Sequence, residues 1–226
     1  MIVTRFGRTL AVCAAVGVVA CTPSNEADMG EMTGEDAPAL TPIEGLNAFY
    51  YYDDVDAAWA FYRDVLGFET AADYGFAKIM HVAPRSFLTL VDAEQGMHST
   101  DEPKSVALAI VTKDLEEWFA HLQANDVPLR GELTIREGSA HDGFVAVDPE
   151  GYLLEFEWFN EHEENVQLSP QLEAIEPVTT NQRPAGLGIS ATVLWLYYDE
   201  LAPNERFYEE LLGVDLLVDQ GWAKVY

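Results

Sequence analysis

One pattern is written twice in this chain. "YYDDVDAAWAFYRDVLGFETAADYGFAKIM" fills residues 51–80, and "YYDELAPNERFYEELLGVDLLVDQGWAKVY" fills residues 197–226. Aligned without gaps at an offset of 146 (197 minus 51), eleven of thirty positions are identical. Tyr51-Tyr52-Asp53 meets Tyr197-Tyr198-Asp199, Phe61-Tyr62 meets Phe207-Tyr208, and Leu66-Gly67 meets Leu212-Gly213. Asp73, Gly75, Ala77 and Lys78 meet Asp219, Gly221, Ala223 and Lys224. Aromatic residues and glycines are the costliest positions to match by accident, so the match reads as a duplicated structural unit.

The unit has a legible physical pattern. "LNAFYYYD" is an aromatic-rich strand. Asp53 or Asp54 can cap a following helix. Val55, Ala58, Trp59, Tyr62, Val65 and Leu66 recur at helical spacing and form one apolar face. Gly67 is a natural helix stop. "FETAADYG" and "FAKIMHVA" suggest a hairpin around Tyr74–Gly75, and "SFLTLVDA" a further strand. A fainter β-α-β-β-β copy follows. "SVALAIVTKD" is its first strand, and a helix carries Leu115, Trp118, Phe119 and Leu122 on one face. "GELTIREG", "GFVAVDPEG" and "YLLEFEWF" are its remaining strands, with Asp148-Pro149-Glu150-Gly151 as a turn.

The residues "YYDDVDAAWAFYRDVLGF" and "VAVDPEGYLLEFEWF" resemble the vicinal oxygen chelate superfamily, which includes glyoxalase I, bleomycin-resistance proteins and extradiol dioxygenases. The resemblance implies an α+β fold in which paired β-α-β-β-β modules form an eight-stranded half-barrel cup, followed here by the start of a second such domain. The expected organisation is a signal peptide at 1–20, an acidic flexible tether at 21–44, a complete domain at 45–160, a linker at 161–186 and a truncated partial module at 187–226. A lone β-α-β-β piece leaves an open edge, so residues 187–226 are expected to be cut short or to pack on the first domain or a second chain.

The resemblance also implies where metal ligands would stand. Those positions hold Asn47, Ala107 and Thr89, and only Glu155 keeps a carboxylate; in the later copy the matching position is Val193. No cofactor is therefore expected, with a divalent metal as the weaker alternative. Strand alternation puts Asn47, Phe49 and Tyr51 on the side that Glu155 and Glu157 face. The expected ligand-binding set is Asn47, Phe49, Tyr51, Thr89, Glu155 and Glu157. Glu155 is the candidate catalytic base, and its bland alternative is a carboxylate bonded to Tyr51 or Asn47. His81 reads as structural, His121 as solvent-facing on its helix, and His141 as part of a loop near the cup rim.

The N-terminus adds an address. "MIVTRFGR" carries Arg5 and Arg8, "TLAVCAAVGVVA" is an apolar run of signal-peptide length, and Cys21 follows. "VVAC" resembles a bacterial lipobox, which implies lipidation of Cys21 and anchoring in the cell envelope, at the outer membrane of a Gram-negative cell. Residues 22–44 are polar and acidic without periodicity. The formal charge is −27, from 39 acidic and 12 basic residues, which excludes a nucleic-acid partner. Processing would remove Arg5 and Arg8 and take the charge to about −29. The leading expectation is a lipid-anchored domain that binds a small, partly apolar molecule without an obligatory metal. The rivals are a metal-dependent lyase, isomerase or dioxygenase using Glu155, and an interaction module with a filled cup. Closure of the cup within one chain or in a homodimer is left open.

Overall fold

A computed structural model describes residues 43–184 and 186–226. The expected signal peptide, Cys21 and nearly all of the tether lie outside the described residues. Strand β1 (Leu46–Tyr52) alternates strictly: Ala48, Tyr50 and Tyr52 are buried, while Asn47 and Phe49 are exposed. Asp54 caps helix α1 (Val55–Ala60) by accepting from the Ala57 amide at 2.9 Å. The helix widens into a π-helical turn over Phe61–Val65 and stops at Gly67, whose φ is +64°. Strands β2 (Glu69–Asp73), β3 (Ala77–Ala83) and β4 (Ser86–Asp92) complete a sheet of order β1-β4-β3-β2. The β1–β4 pair is parallel, and such a pair needs a crossover, which α1 supplies.

The second module repeats the plan. Strand β5 (Val106–Val111) leads to helix α2 (Leu115–Ala124), and strands β6 (His141–Val147) and β7 (Leu153–Phe159) follow. Here β5 pairs with β7 in parallel, and β6 with β7 antiparallel. "GELTIREG" does not form the expected strand. Among the described residues it makes one isolated bridge, Thr134 to Gly143, with a second from Leu129 to Ala146 just before it. Two glycines and two carboxylates in those eight residues disfavour a full strand.

The eighth strand comes from elsewhere. Strand β8 (Ala191–Leu196), the first of the C-terminal copy, pairs antiparallel with β5, from Val111↔Ala191 to Val106↔Leu196. The second sheet therefore runs β6-β7-β5-β8. An open strand edge on β5 is satisfied by the very segment that would otherwise lack a partner. The α+β class and the two four-stranded sheets of paired modules agree with the sequence reading.

One apolar core joins the modules. Tyr50, Tyr52 and Tyr62 of the first pack in the same cluster as Leu108, Ile110, Trp118 and Phe156 of the second. The Tyr50 ring stacks on Tyr152 at 3.9 Å between centroids. At the centre, Tyr52 and Tyr62 both donate to Asp148 Oδ2, at 2.7 and 2.9 Å. The other Asp148 oxygen accepts from the amides of Glu150 and Tyr152, at 3.0 and 2.7 Å. Burial raises the Asp148 pKa against the pull of these four donors.

Residues 161–184 are packed rather than slack. They contain α3 (Ser169–Glu173) and a buried Arg183. Arg183 Nε donates to the Leu66 carbonyl at 2.9 Å, and Nη1 donates to the Val178 carbonyl at 2.8 Å. Thr180 donates to the Gly67 carbonyl at 2.8 Å. These contacts fix the path of the chain into β8.

The C-terminal segment repeats local geometry from the first module. Helix α4 (Ala202–Arg206) again widens into a π-helical turn, over Phe207–Leu212, and Gly213 has φ +65°. Tyr198 and Tyr208 hydroxyls lie 2.9 Å apart, as Tyr52 and Tyr62 lie 3.1 Å apart. Strands β9 (Val218–Asp219) and β10 (Lys224–Val225) form the matching hairpin. Asp219 accepts from Gly221 and Lys224 just as Asp73 accepts from Gly75 and Lys78.

Candidate functional site

The alternation of β7 decides which side chains face inward. Leu154 and Phe156 enter the helix-covered core, so Glu155 and Glu157 project from the other face. That face continues across β8 in the same sheet, and the segment 197–226 roofs it. Between them lies a cavity of about 930 Å³, within the range of ordinary small-molecule sites. Its walls include Glu155, Glu157, Trp195, Tyr197, Tyr208 and Trp222. The end of the first sheet, at Leu46 and Pro84–Ser86, closes one side.

Glu157 is 2% exposed, and its Oε1 accepts from Trp195 Nε1 at 3.2 Å. Burial raises its pKa first, and the neighbouring Glu155 charge raises it further. Glu155 is raised by burial alone. Two residues apart on one strand, the pair points the same way. Among the described residues, neither has an ion-pair partner, and Glu155 has no hydrogen-bond partner. Thr192 Oγ1 is buried without a hydrogen bond, on the face of the sheet that Ile110 and Phe156 share rather than on the carboxylate face. Burial raises the Tyr197 pKa, and Glu155 adds to it. Lys224 on the wall is held by Asp219 at 2.7 Å and Glu205 at 3.6 Å.

The expected set is divided. Glu155 and Glu157 line the cavity; Asn47, Phe49, Tyr51 and Thr89 do not. Asn47 Oδ1 accepts from the Thr89 hydroxyl at 2.9 Å, so these two satisfy each other across β1 and β4. Phe49 is 56% exposed, and Tyr51 meets His98 edge-on at 5.0 Å. The covering segment packs over the second sheet, which leaves the matching face of β1 without a roof. Glu155 bonds to neither Tyr51 nor Asn47. Instead, the Tyr51 amide donates to the Tyr152 hydroxyl at 3.0 Å.

The histidines also shift role. His121 is not simply solvent-facing, because its Nε2 lies 2.8 Å from the Val65 carbonyl and ties α2 to the first module. His141 is the first residue of β6 and lines the cavity, rather than sitting in a rim loop. His81 lies against Phe87 at 5.4 Å. Trp195, Tyr197, Tyr208 and Trp222 were not assigned to the site from sequence. The aromatic run "WLYY" was visible, but its destination depended on β8 joining β5.

The donor set does not fit a metal ion. Ala107 pairs with Leu153 and Trp195, Thr89 is spent on Asn47, and among the described residues no three His, Cys, Asp or Glu side chains are grouped to hold one.

The family model described as the Glyoxalase/Bleomycin resistance protein/Dioxygenase superfamily matches residues 45–156. Residues 45–156 are thus similar to a domain of that superfamily. Among solved structures, a lactoylglutathione lyase from Agrobacterium tumefaciens is 23% identical, with TM-score 0.44, covering 52% of this chain and 95% of that one. A superfamily protein from Alicyclobacillus acidocaldarius is 21% identical, with TM-score 0.42, covering 54% and 95%. Another from Nocardioides is 15% identical, with TM-score 0.46, covering 56% and 89%. None of these likenesses carries a statement about substrate or mechanism. No curated protein matches the chain. The glyoxalase-type domain thus ends close to the cavity carboxylates, and the roof over them lies outside the matched residues.

Proposed function

We propose that the glyoxalase-type domain binds a small, partly apolar molecule in the cavity between the β7–β8 sheet face and segment 197–226, without an obligatory metal ion. The observation that carries this reading is a cavity of about 930 Å³ with aromatic walls and two inward carboxylates. Sites of this kind take their affinity from apolar contact and their orientation from a few polar groups. The metal-ligating side chains, ungrouped among the described residues, support the metal-free part. A filled-cup interaction module has the cavity volume against it. Acylation of Cys21, with the acidic segment as tether, would hold the domain at the cell envelope, at the outer membrane of a Gram-negative cell.

The test is titration of the full chain with N-phenyl-1-naphthylamine, a neutral apolar fluorophore. Saturable one-site binding that weakens in Trp195→Ala, with near-UV circular dichroism retained, is the expected result. Absence of saturable binding, or a tightly held stoichiometric divalent metal in the purified chain, overturns the proposal. One observation favours a second reading, catalysis by Glu155: burial lifts its pKa toward the range useful to a general base. Turnover abolished by Glu155→Gln would select it.

A further inference from the structure

Resting on that reading, we infer that the cavity is built for an organic cation: an ammonium or guanidinium group seated at Glu155 and Glu157, with an apolar or aromatic body lying against Trp195, Tyr197 and Trp222. The inference starts from Glu157. It is 98% withdrawn from solvent (2% exposed), faces the cavity, and among the described residues its only bond is the single Trp195 indole N–H to Oε1. A buried carboxylate ordinarily has several donors or an ion-pair partner. Asp148 in this same chain has four donors. Glu155, beside Glu157, has none among the described residues and opens on the same space.

Three further observations point to the sign and shape of the missing partner. First, the lysine and arginine on the wall are occupied or peripheral. Lys224 is bound to Asp219 and Glu205, and Arg85 is exposed at the edge of the first sheet. Second, the walls near the carboxylates are rings, whose faces attract cations. Third, a chain of formal charge −27 concentrates cations at its surface and repels anions. An anionic substrate would meet two uncompensated carboxylates at the end of its path. A neutral one would leave them unpaired. A bare metal ion would find two carboxylates and, among the described residues, no third grouped ligand in a space many times its size.

The experiment compares two molecules of nearly equal shape, phenyltrimethylammonium and tert-butylbenzene, by calorimetric titration of the full chain. A salt concentration of about 0.3 M screens the general surface field. The cation is expected to bind about tenfold or more tightly than its neutral isostere, the scale of a desolvated charge contact. The isosteric double variant Glu155→Gln/Glu157→Gln should lose that preference and keep the neutral affinity. Glu116→Gln/Glu117→Gln, on the exposed side of α2, should keep the preference. Equal affinity for the two molecules overturns the inference and leaves the proposed apolar binding intact. Binding of neither overturns both. Displacement of phenyltrimethylammonium by stoichiometric magnesium or manganese also overturns the inference, in favour of a metal. If the double variant loses its near-UV circular dichroism, the single variant Glu157→Gln decides by the same comparison.

Discussion

Replacing Tyr62 by phenylalanine removes one oxygen from the joint between the two modules and leaves everything else in place. The ring is fully buried, contacts Tyr52, Phe61 and Phe68, and fits phenylalanine without a cavity larger than a hydroxyl. The lost interaction is a 2.9 Å bond to a buried carboxylate, and Asp148 Oδ2 then has only Tyr52 on that oxygen. Hydrogen bonds to charged groups are worth about 1.5–3 kcal/mol net. For a folded unit of this size that corresponds to a fall of about 3–12 °C in Tm. The pH dependence is a sharper check. Burial raises the Asp148 pKa in the folded state above its ordinary 3.8, while the tyrosines oppose the rise. A carboxyl raised in the folded state favours folding most at low pH, and that advantage is lost as pH climbs through the folded value. Removing a donor raises it further, so the penalty of Tyr62→Phe should be small near pH 4 and grow toward pH 8. Tyr208→Phe is the internal control. The same hydroxyl pair recurs at Tyr198 and Tyr208, but neither residue has a carboxylate partner among the described residues, and both are at least partly exposed. Its effect should stay within about 0.5 kcal/mol. Differential scanning calorimetry from pH 4 to 8 measures all of this. A Tyr62→Phe penalty that is equal at both ends, or matched by Tyr208→Phe, would refute a charge-assisted joint between the modules.

Three other substitutions test the geometry. Glu157→Gln keeps the shape and the oxygen that accepts from Trp195 but removes a buried charge raised by burial and by Glu155, so the variant should gain about 1–3 kcal/mol near pH 8. Because the folded pKa is raised, that gain should shrink as pH falls toward 5; thermal melts at the two pH values read it, and a loss of stability at pH 8 would contradict the assignment. Gly67→Ala places a β-carbon 2.3 Å from Arg183 Cγ at a φ of +64°, whereas Gly75→Ala, at +80°, meets nothing within 4 Å. Urea unfolding should show about 1 kcal/mol lost at Gly75 from backbone strain and more than about 2 kcal/mol at Gly67. Equal losses would mean that Arg183 does not press on the helix stop.

The elements themselves were legible because they rest on local chemistry. The alternation in "LNAFYYY" fixes which tyrosines enter the core, whatever lies beyond them. Asp54 and Gly67 start and stop the first helix through bonds within a few residues. Glu155 and Glu157 were legible as a same-face pair for the same reason. Asn47, Phe49, Tyr51 and Thr89 were grouped with them by analogy between sheets, and that step required knowledge of what roofs each sheet. "GELTIREG" alternates well enough to suggest a strand, yet its neighbours in space offer only isolated bridges.

The amino-acid sequence by itself determined two β-α-β-β-β-like modules, a third partial copy, and a pair of carboxylates on one strand face. These follow from side-chain period, caps and turns, which act over a few residues. Only the tertiary structure decided that the third copy would donate β8 to the edge of β5, and so which face would be enclosed. Strand pairing between segments some eighty residues apart depends on which edge is free and which path Arg183 and Thr180 hold. Edge hydrogen bonds are nearly alike for every strand, so no local pattern names the partner.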